Sequence, residues 1–365
     1  MAEAPHVLLI TTDQQRGDCL GIEGHPVLQT PNLDHLARSG TWFRRGYSEC
    51  PVCIPARRTL MSGVAPAAHG MVGYAGGVTW NPPHTLAGEF HRAGYQTEMI
   101  GKLHLHPPRR RYGFNHVQLG NSVHAMADSD YIRWLVETHG RHEMKPGMAH
   151  GLDGNGWVGR PHILPEEQML TFWCIDRALR FLERRDPSAP FFLNVSLADP
   201  HPPLAPPAFY YDRYVRRDLP PPVVGDWADD PFGGPTRGLA TDAPRIHLDE
   251  QQMQCARAAY YGMINFIDDQ IGRLLLAISR QGLMQNTIVL FSSDHGEMLG
   301  DHHRFCKSLP YEASARVPFL MRLPTKWGVP GGRVCRTRRW VGRTSCRRCS
   351  MPRDSMFRPS APGTA

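Results

Sequence analysis

Cys53-Ile54-Pro55-Ala56-Arg57, continued by Thr59-Leu60-Met61-Ser62-Gly63, is the stretch on which the reading of this chain turns. A cysteine stands two residues before a proline and four before an arginine, at the head of a segment that reads as a helix closed by glycine. Arg57 then lies one helical turn beyond Cys53, on the same face. Plainer readings compete. With Cys50 the cysteine makes a C-x-x-C, which suits a redox pair or half of a zinc site. The only second pair at that spacing is Cys346-x-x-Cys349. A thioredoxin-like motif belongs in a much smaller domain than 365 residues provide. A buried, unreactive cysteine is the third reading.

Outward from this stretch, apolar runs alternate with helical periods. His6–Asp13 reads as a buried strand ending in Thr11-Thr12-Asp13. Thr30 and Pro31 open a helix that stops at Gly40, with Thr30 as cap. Thr85–Ala93 is helical and feeds a strand from Tyr95 toward Ile100. Pro165–Arg185 is a long amphipathic helix, Phe191–Leu197 a strand, Leu248–Arg280 a second long helix, and Thr287–Ser292 the next buried strand. Strands alternating with helices predict an α/β fold whose mostly parallel sheet is covered on both faces. Ligands of such sheets gather beyond the carboxyl ends of the strands, where Asp13, His201 and Asp294 fall. The Pro/Gly-rich stretch Leu219–Pro244 reads as a surface loop near the substrate entrance, and Asn121–Pro161 as a further pocket-shaping loop.

Composition excludes more than it assigns. The net charge of +7 is local: nine arginines against one acid between Arg333 and Ala365 carry +8, which leaves the remainder near −1. Nucleic acid is therefore not an expected partner. Nine cysteines without framework spacing argue against a disulfide scaffold. The start, Met1 to Pro5, lacks a basic leader and a long apolar core, and no stretch is apolar enough to span a membrane, so the cytoplasm is the expected compartment.

Taken together, the Cys53 motif, Asp13-Gln14 after the first strand, Gly101-Lys102-Leu103-His104, Asp199-Pro200-His201-Pro202, Asp294-His295-Gly296-Glu297 and Phe305-Cys306-Lys307-Ser308 resemble the type I sulfatases. More closely, the chain is similar to the sulfatase and phosphonate monoester hydrolase branch of the alkaline-phosphatase-like superfamily, over roughly Val7 to Leu323. The resemblance implies an α/β/α sandwich. It also implies that a formylglycine-generating enzyme oxidises Cys53 to formylglycine, whose aldehyde hydrate is the nucleophile. Asp13, Gln14, Asp294, His295 and an oxygen of the modified Cys53 would bind one divalent cation. Ca²⁺ is the expected ion, and the histidine in the set leaves Mg²⁺ or Mn²⁺ open. Arg57 would hold the hydrate, Lys102 and Lys307 the sulfate oxygens, and His104 would orient or deprotonate the hydrate. His201 would assist the leaving group.

Implied, then, is metal-dependent hydrolysis of small-molecule or sugar sulfate esters through a covalent sulfoenzyme intermediate. Phosphonate monoester or phosphodiester hydrolysis on the same site is one alternative, and an inactive truncated remnant is the other. Gln14 and His295 stand where many sulfatases carry aspartate and asparagine. His69 and His303 are expected to be structural. Beyond Arg322 the family pattern stops, and the expected division is a catalytic core over 1–330 and an aberrant arginine-rich tail over 331–365. The usual small C-terminal subdomain is expected to be missing, most simply through a frameshift shortly after Gly332, at a cost in stability and activity.

Overall fold

The structure is a computed structural model and describes residues 4–120, 128–140, 151–229, 241–242, 244–335 and 340–341. Its strands are β1 (His6–Thr12), β2 (Thr41–Phe43), β3 (Gly46–Tyr47), β4 (Gln96–Gly101), β5 (His116–Leu119), β6 (Phe191–Ser196), β7 (Thr287–Ser293), β8 (Arg316–Val317), β9 (Phe319–Arg322), β10 (Arg333–Cys335) and β11 (Trp340–Val341). The α-helices are α1 (Pro31–Ser39), α2 (Cys53–Ser62), α3 (Pro66–His69), α4 (Leu86–Arg92), α5 (Asp130–His139), α6 (Leu170–Arg184), α7 (Ala208–Val215), α8 (Glu250–Arg280) and α9 (Glu312–Ala315).

The large sheet runs β10-β2-β9-β7-β1-β6-β4-β5, and β9 alone lies antiparallel to its neighbours. A small sheet, β11-β3-β8, stands beside it. β1 shows why both faces must be covered. Its side chains alternate between faces, yet Val7 through Ile10 are all apolar. Leu8 and Ile10 join a core with residues of α1, α6 and α8, whereas Val7 and Leu9 join another with Met61 of α2 and Ala87 of α4. Each fully buried Leu or Ile contributes about 1.5–3 kcal/mol, so the alternation fixes the register of the central strand. The expected α/β/α sandwich is the observed architecture.

Three helix readings change in detail. The segment expected as one helix from Pro165 begins with a 3₁₀ turn, Glu166–Gln168, and Met169 returns to extended backbone before α6 starts at Leu170. The break places Met169 in the core. Thr30 precedes α1, but its hydroxyl bonds Asp34 Oδ1 at 2.9 Å instead of a helix N–H. The open N–H groups of Asn32 and Leu33 are taken by the Asp268 carboxylate of α8, at 3.0 and 2.8 Å. A tertiary carboxylate thus does the work expected of the local cap. Finally, the 121–161 stretch read as a loop contains α5, capped by the Ser129 hydroxyl.

Two short strands lie beyond residue 330. Arg333–Cys335 pairs in parallel with β2 at the edge of the large sheet, and Trp340–Val341 pairs with β3. The rest of the expected tail, 336–339 and 342–365, lies outside the described residues, as do 121–127, 141–150, 230–240 and 243 of the two expected loops. Among the described residues, no helix is long and apolar enough to cross a membrane.

Candidate active site

The site lies where the sheet predicts it, beyond the carboxyl ends of four adjoining strands. Asp13 and Gln14 follow β1, Lys102 follows β4, Asp199 and His201 follow β6, and Asp294 and His295 follow β7. Cys53 enters from a different direction, as the first residue of α2. The tight geometry around Lys102 needs glycine before it. Gly101 has φ +104°, and a Cβ there would lie 2.0 Å from the Ser196 carbonyl oxygen. No other residue permits β4 to turn so close to β6.

Arg57 organises the centre. An arginine at a helix start is ordinarily solvated; this one is 4% exposed. Its Nε donates to Asp294 Oδ2 at 2.9 Å, and its terminal nitrogens donate to Asp13 Oδ2 at 3.0 Å, Ser196 Oγ at 2.9 Å and the Lys102 carbonyl at 2.6 Å. Lys102 Nζ adds a second ion pair to Asp13 Oδ2 at 2.6 Å. Both aspartates therefore spend Oδ2 on cations of the protein and turn Oδ1 inward. Asp13 Oδ1 lies 3.8 Å from Cys53 Sγ and 3.6 Å from His295 Nε2, and Asp294 Oδ1 is also 3.6 Å from His295 Nε2. His295 Nε2 lies 3.1 Å from Cys53 Sγ, while Nδ1 sits 2.9 Å from the Gly296 carbonyl oxygen. That carbonyl can only accept, so Nδ1 carries a hydrogen, and Nε2 is the ring nitrogen that faces the centre.

Four ligand atoms of Asp13, Cys53, Asp294 and His295 thus lie within 4.8 Å of one another, all buried. The set fits a divalent cation. Its chemistry is two carboxylate oxygens, one imidazole nitrogen and one atom of residue 53, whose sulfur stands in for the oxygen of the modified residue. The electrostatics agree with that fit. Burial opposes charge on His295, but Asp294, the Cys53 sulfur and Asp13 outweigh it and push the imidazole pKa up to about 9. The surplus of negative charge that holds a proton there is what a cation would neutralise.

A second group interacts electrostatically with Cys53. Lys307 Nζ donates to His201 Nε2 at 2.8 Å and to Gln14 Oε1 at 2.5 Å. His201 Nδ1 donates to the Pro202 carbonyl at 2.8 Å. Burial, then the cations Lys307 and Lys102, drive the His201 pKa well below its ordinary value. His201 is accordingly neutral, and Lys307 holds the proton of the pair. Lys307 itself is raised, because Cys53 and Asp13 outweigh the burial that opposes its charge. His104 places its ring edge-on to Tyr74, with centroids 6.3 Å apart. Gln14, expected among the cation ligands, has its amide oxygen on Lys307 and its amide nitrogen on Glu297.

Two contributors were not assigned from sequence. Ser196 accepts from Arg57 and donates to the Lys102 carbonyl at 2.8 Å, which ties β4 to β6 under the centre. Glu297 is buried at 2% exposure; it holds the Gln14 amide, and its other oxygen accepts the N–H groups of Leu299 and Cys306. Glu297 was visible in the Asp294-His295-Gly296-Glu297 motif but nothing local gave it a partner. His69 bonds Thr59 Oγ1 at 3.1 Å and His303 stacks on His247 with centroids 4.4 Å apart, the peripheral places expected of them.

A buried cysteine within a cluster that could hold a cation, at the strand ends of a mostly parallel sheet, fits a hydrolase of the alkaline-phosphatase-like kind. The sulfatase family profile matches residues 5–338, and the chain belongs to that family. It is a sulfuric ester hydrolase. An arylsulfatase of Clostridium perfringens is 43% identical over 333 residues, covering 88% of this chain and 69% of the relative. The multifunctional alkaline phosphatase superfamily protein PehA of Trinickia caryophylli is 31% identical, covering 87% of this chain and 68% of the relative. The crystal structure of the phosphonate monoester hydrolase of Agrobacterium radiobacter superposes with a TM-score of 0.77 at 27% identity, covering 93% of this chain and 71% of that one. This chain spans about two thirds of the length of the two curated relatives.

Proposed function

We propose that this enzyme hydrolyses sulfate esters of small aromatic or sugar alcohols with a formylglycine made from Cys53 by a formylglycine-generating enzyme. One observation carries the reading: Cys53 Sγ lies within an inward-facing cation-ligand set (Asp13, Asp294, His295), and Lys307, bonded to His201, is close enough to interact electrostatically with it. A nucleophile so placed is activated by the set, and its leaving group is served by the pair.

The proposed ion is Ca²⁺, held by Asp13, Asp294, His295 and the oxygen of the modified residue 53. Gln14 is the proposed further ligand; its carbonyl oxygen has two lone pairs, one of which serves Lys307. When bound, the cation lowers the pKa of the nucleophilic hydroxyl and balances charge on the sulfate oxygens. The remaining roles belong to the chain. Arg57 fixes the carboxylates, so the two Oδ1 atoms need not reorganise during reaction. Lys102 and Lys307 face the non-bridging oxygens. Lys307, protonated, supplies the leaving alcohol with its proton, and neutral His201 aims that ammonium group. His104 takes the proton of the second geminal hydroxyl when the aldehyde is regenerated.

Mass spectrometry of the tryptic peptide Gly46–Arg57, from protein made together with a formylglycine-generating enzyme, tests the nucleophile. Conversion of Cys53 to the aldehyde is expected; an intact thiol overturns that assignment. Comparing kcat/KM on an aryl sulfate and a phosphonate monoester tests the substrate class. The sulfate is expected to be preferred, and a preference for the phosphonate would transfer the chain to the alternative activity.

A further inference from the structure

A cleft of about 500 Å³ runs along the outer edge of the large sheet, where β5 meets α5, α6 and the 109–111 turn. It does not include any residue of the site described above. Four arginines line it, Arg109, Arg111, Arg133 and Arg177, against the acids Asp130 and Glu137, with Trp134 and Trp173 between them. Asp130 is largely spent: it takes two hydrogen bonds from Arg109, at 2.8 and 2.9 Å, and one from the Leu119 N–H at 2.7 Å. Arg133 reaches it only at 3.7 Å. Arg111 donates to a backbone carbonyl, that of Asn115, at 2.9 Å.

Arg177 lies over the Trp173 ring at 5.5 Å, and the acid beside it, Asp176, pairs with Arg180 at 3.0 Å. The Arg177 Nε has no acceptor among the described residues. Neither has the indole N–H of Trp173, a residue only 2% exposed. Arginine forks suit tetrahedral oxyanions, and half-buried indole faces suit the apolar side of a sugar ring. The floor of the cleft is one strand from the catalytic machinery, since Leu119 at the end of β5 pairs with Gly101, the residue before Lys102.

We propose that this cleft is a second binding site, for a sulfated saccharide, with sulfate groups on Arg111, Arg133 and Arg177 and a sugar ring against Trp134. The choice of a sulfated saccharide among polyanions rests on the sulfate-ester activity proposed above. The enzyme would then hold a sulfated chain at the sheet edge while the strand-end site acts on one of its esters.

The test uses the double variant Arg111→Ala/Arg177→Ala. Binding is measured by calorimetry in a Cys53→Ala background, with a saturating small aryl sulfate present to occupy the catalytic site. Probes are a sulfated hexasaccharide, its unsulfated counterpart and an oligonucleotide of equal charge. The double variant is expected to bind the sulfated hexasaccharide about tenfold more weakly, with a shallower dependence on salt. With Cys53 intact, its kcat/KM on a small aryl sulfate stays that of the unaltered enzyme. Trp134→Ala should weaken hexasaccharide binding without changing the salt dependence. An unchanged Kd in both variants, equal binding of the unsulfated sugar, or tighter binding of the oligonucleotide would each overturn the proposal. If the unaltered enzyme fails to turn over aryl sulfate, the activity reading fails, and the binding measurements still decide the cleft.

Discussion

Two buried arginine–carboxylate networks lie a few residues apart in this molecule, built from the same two stretches of chain and doing opposite things. Asp13 and Arg16 leave β1 together; Asp294 and Asp301 leave β7 together. At Asp301 both carboxylate oxygens are matched by cations. Arg16 and Arg257 pair with its two oxygens at 3.0 and 3.3 Å, the Val223 N–H donates at 3.0 Å, and the guanidinium groups also donate to the Met298 and Leu299 carbonyls. That network is closed and locks the loop after β7 to α8. At Asp13 and Asp294 a single arginine and Lys102 pair with one oxygen of each carboxylate; the other oxygens are turned toward Cys53 and His295 and meet no cation of a lysine or arginine, though Asp294 Oδ1 accepts the Gln14 and His295 N–H groups. The difference teaches how buried charge becomes reactive. A balanced cluster stabilises a loop, whereas one left short of positive charge keeps a negative charge that a further cation can neutralise.

The largest effect should come at the open cluster. Cys53→Ala is expected to lower kcat/KM on aryl sulfate by at least about a thousandfold while the melting temperature holds, because the side chain lost is small and makes no strong bond. Next, the two networks should separate stability from activity. Asp294→Asn should cut activity by about a hundredfold to a thousandfold, with stability little changed, since Asp13 still balances Arg57. Asp301→Asn should do the reverse, costing about 3 kcal/mol in denaturant unfolding while activity per folded molecule is kept. If both variants lose stability equally, the contrast between open and closed networks is wrong.

Smaller still is Glu297→Gln, which removes the charge that orients the Gln14 amide. Activity should fall about tenfold, with weaker retention of the divalent cation seen in metal titration. Last, His25 offers a change tied to the closed region. Burial holds its pKa down to about 4, and its Nδ1 accepts the Leu28 N–H at 2.9 Å, so the native state needs it neutral. A folded pKa below the unfolded value means that this stability is complete above about pH 6.5 and fades as pH falls through about 4. The loss should be about 3 kcal/mol, and His25→Asn should flatten that part of the stability curve. An unchanged slope in the variant would assign the acid sensitivity elsewhere.

Much of the active site could be read from sequence because each strand carries its functional residue just past its own end. Asp13, Lys102, His201 and Asp294 sit within a few residues of an apolar run, so finding the strand finds the residue. The partners were not legible, because partnership is long-range. Nothing near Asp294 in sequence announces Arg57, and nothing near Glu297 announces Gln14. The same limit explains the helix ends. Thr30 looks like the cap of α1, but Asp268, far along the chain, outcompetes it with a full carboxylate. The edge cleft was invisible for a related reason: Arg109, Arg133 and Arg177 belong to three separate segments and become a group only when α5 and α6 pack beside β5.

What the sequence alone determined was the class of fold and the family, since a buried strand's apolar run, a glycine forced by close approach and a motif around Cys53 are local requirements written in consecutive residues. Tertiary structure decided which oxygen of each aspartate faces the centre, that Lys307 and not His201 holds the proton between them, and which of two similar charge clusters stays open. The physical reason is that proton position and net charge in a buried site depend on every group within a few ångströms, and those groups come from distances along the chain that no local pattern records.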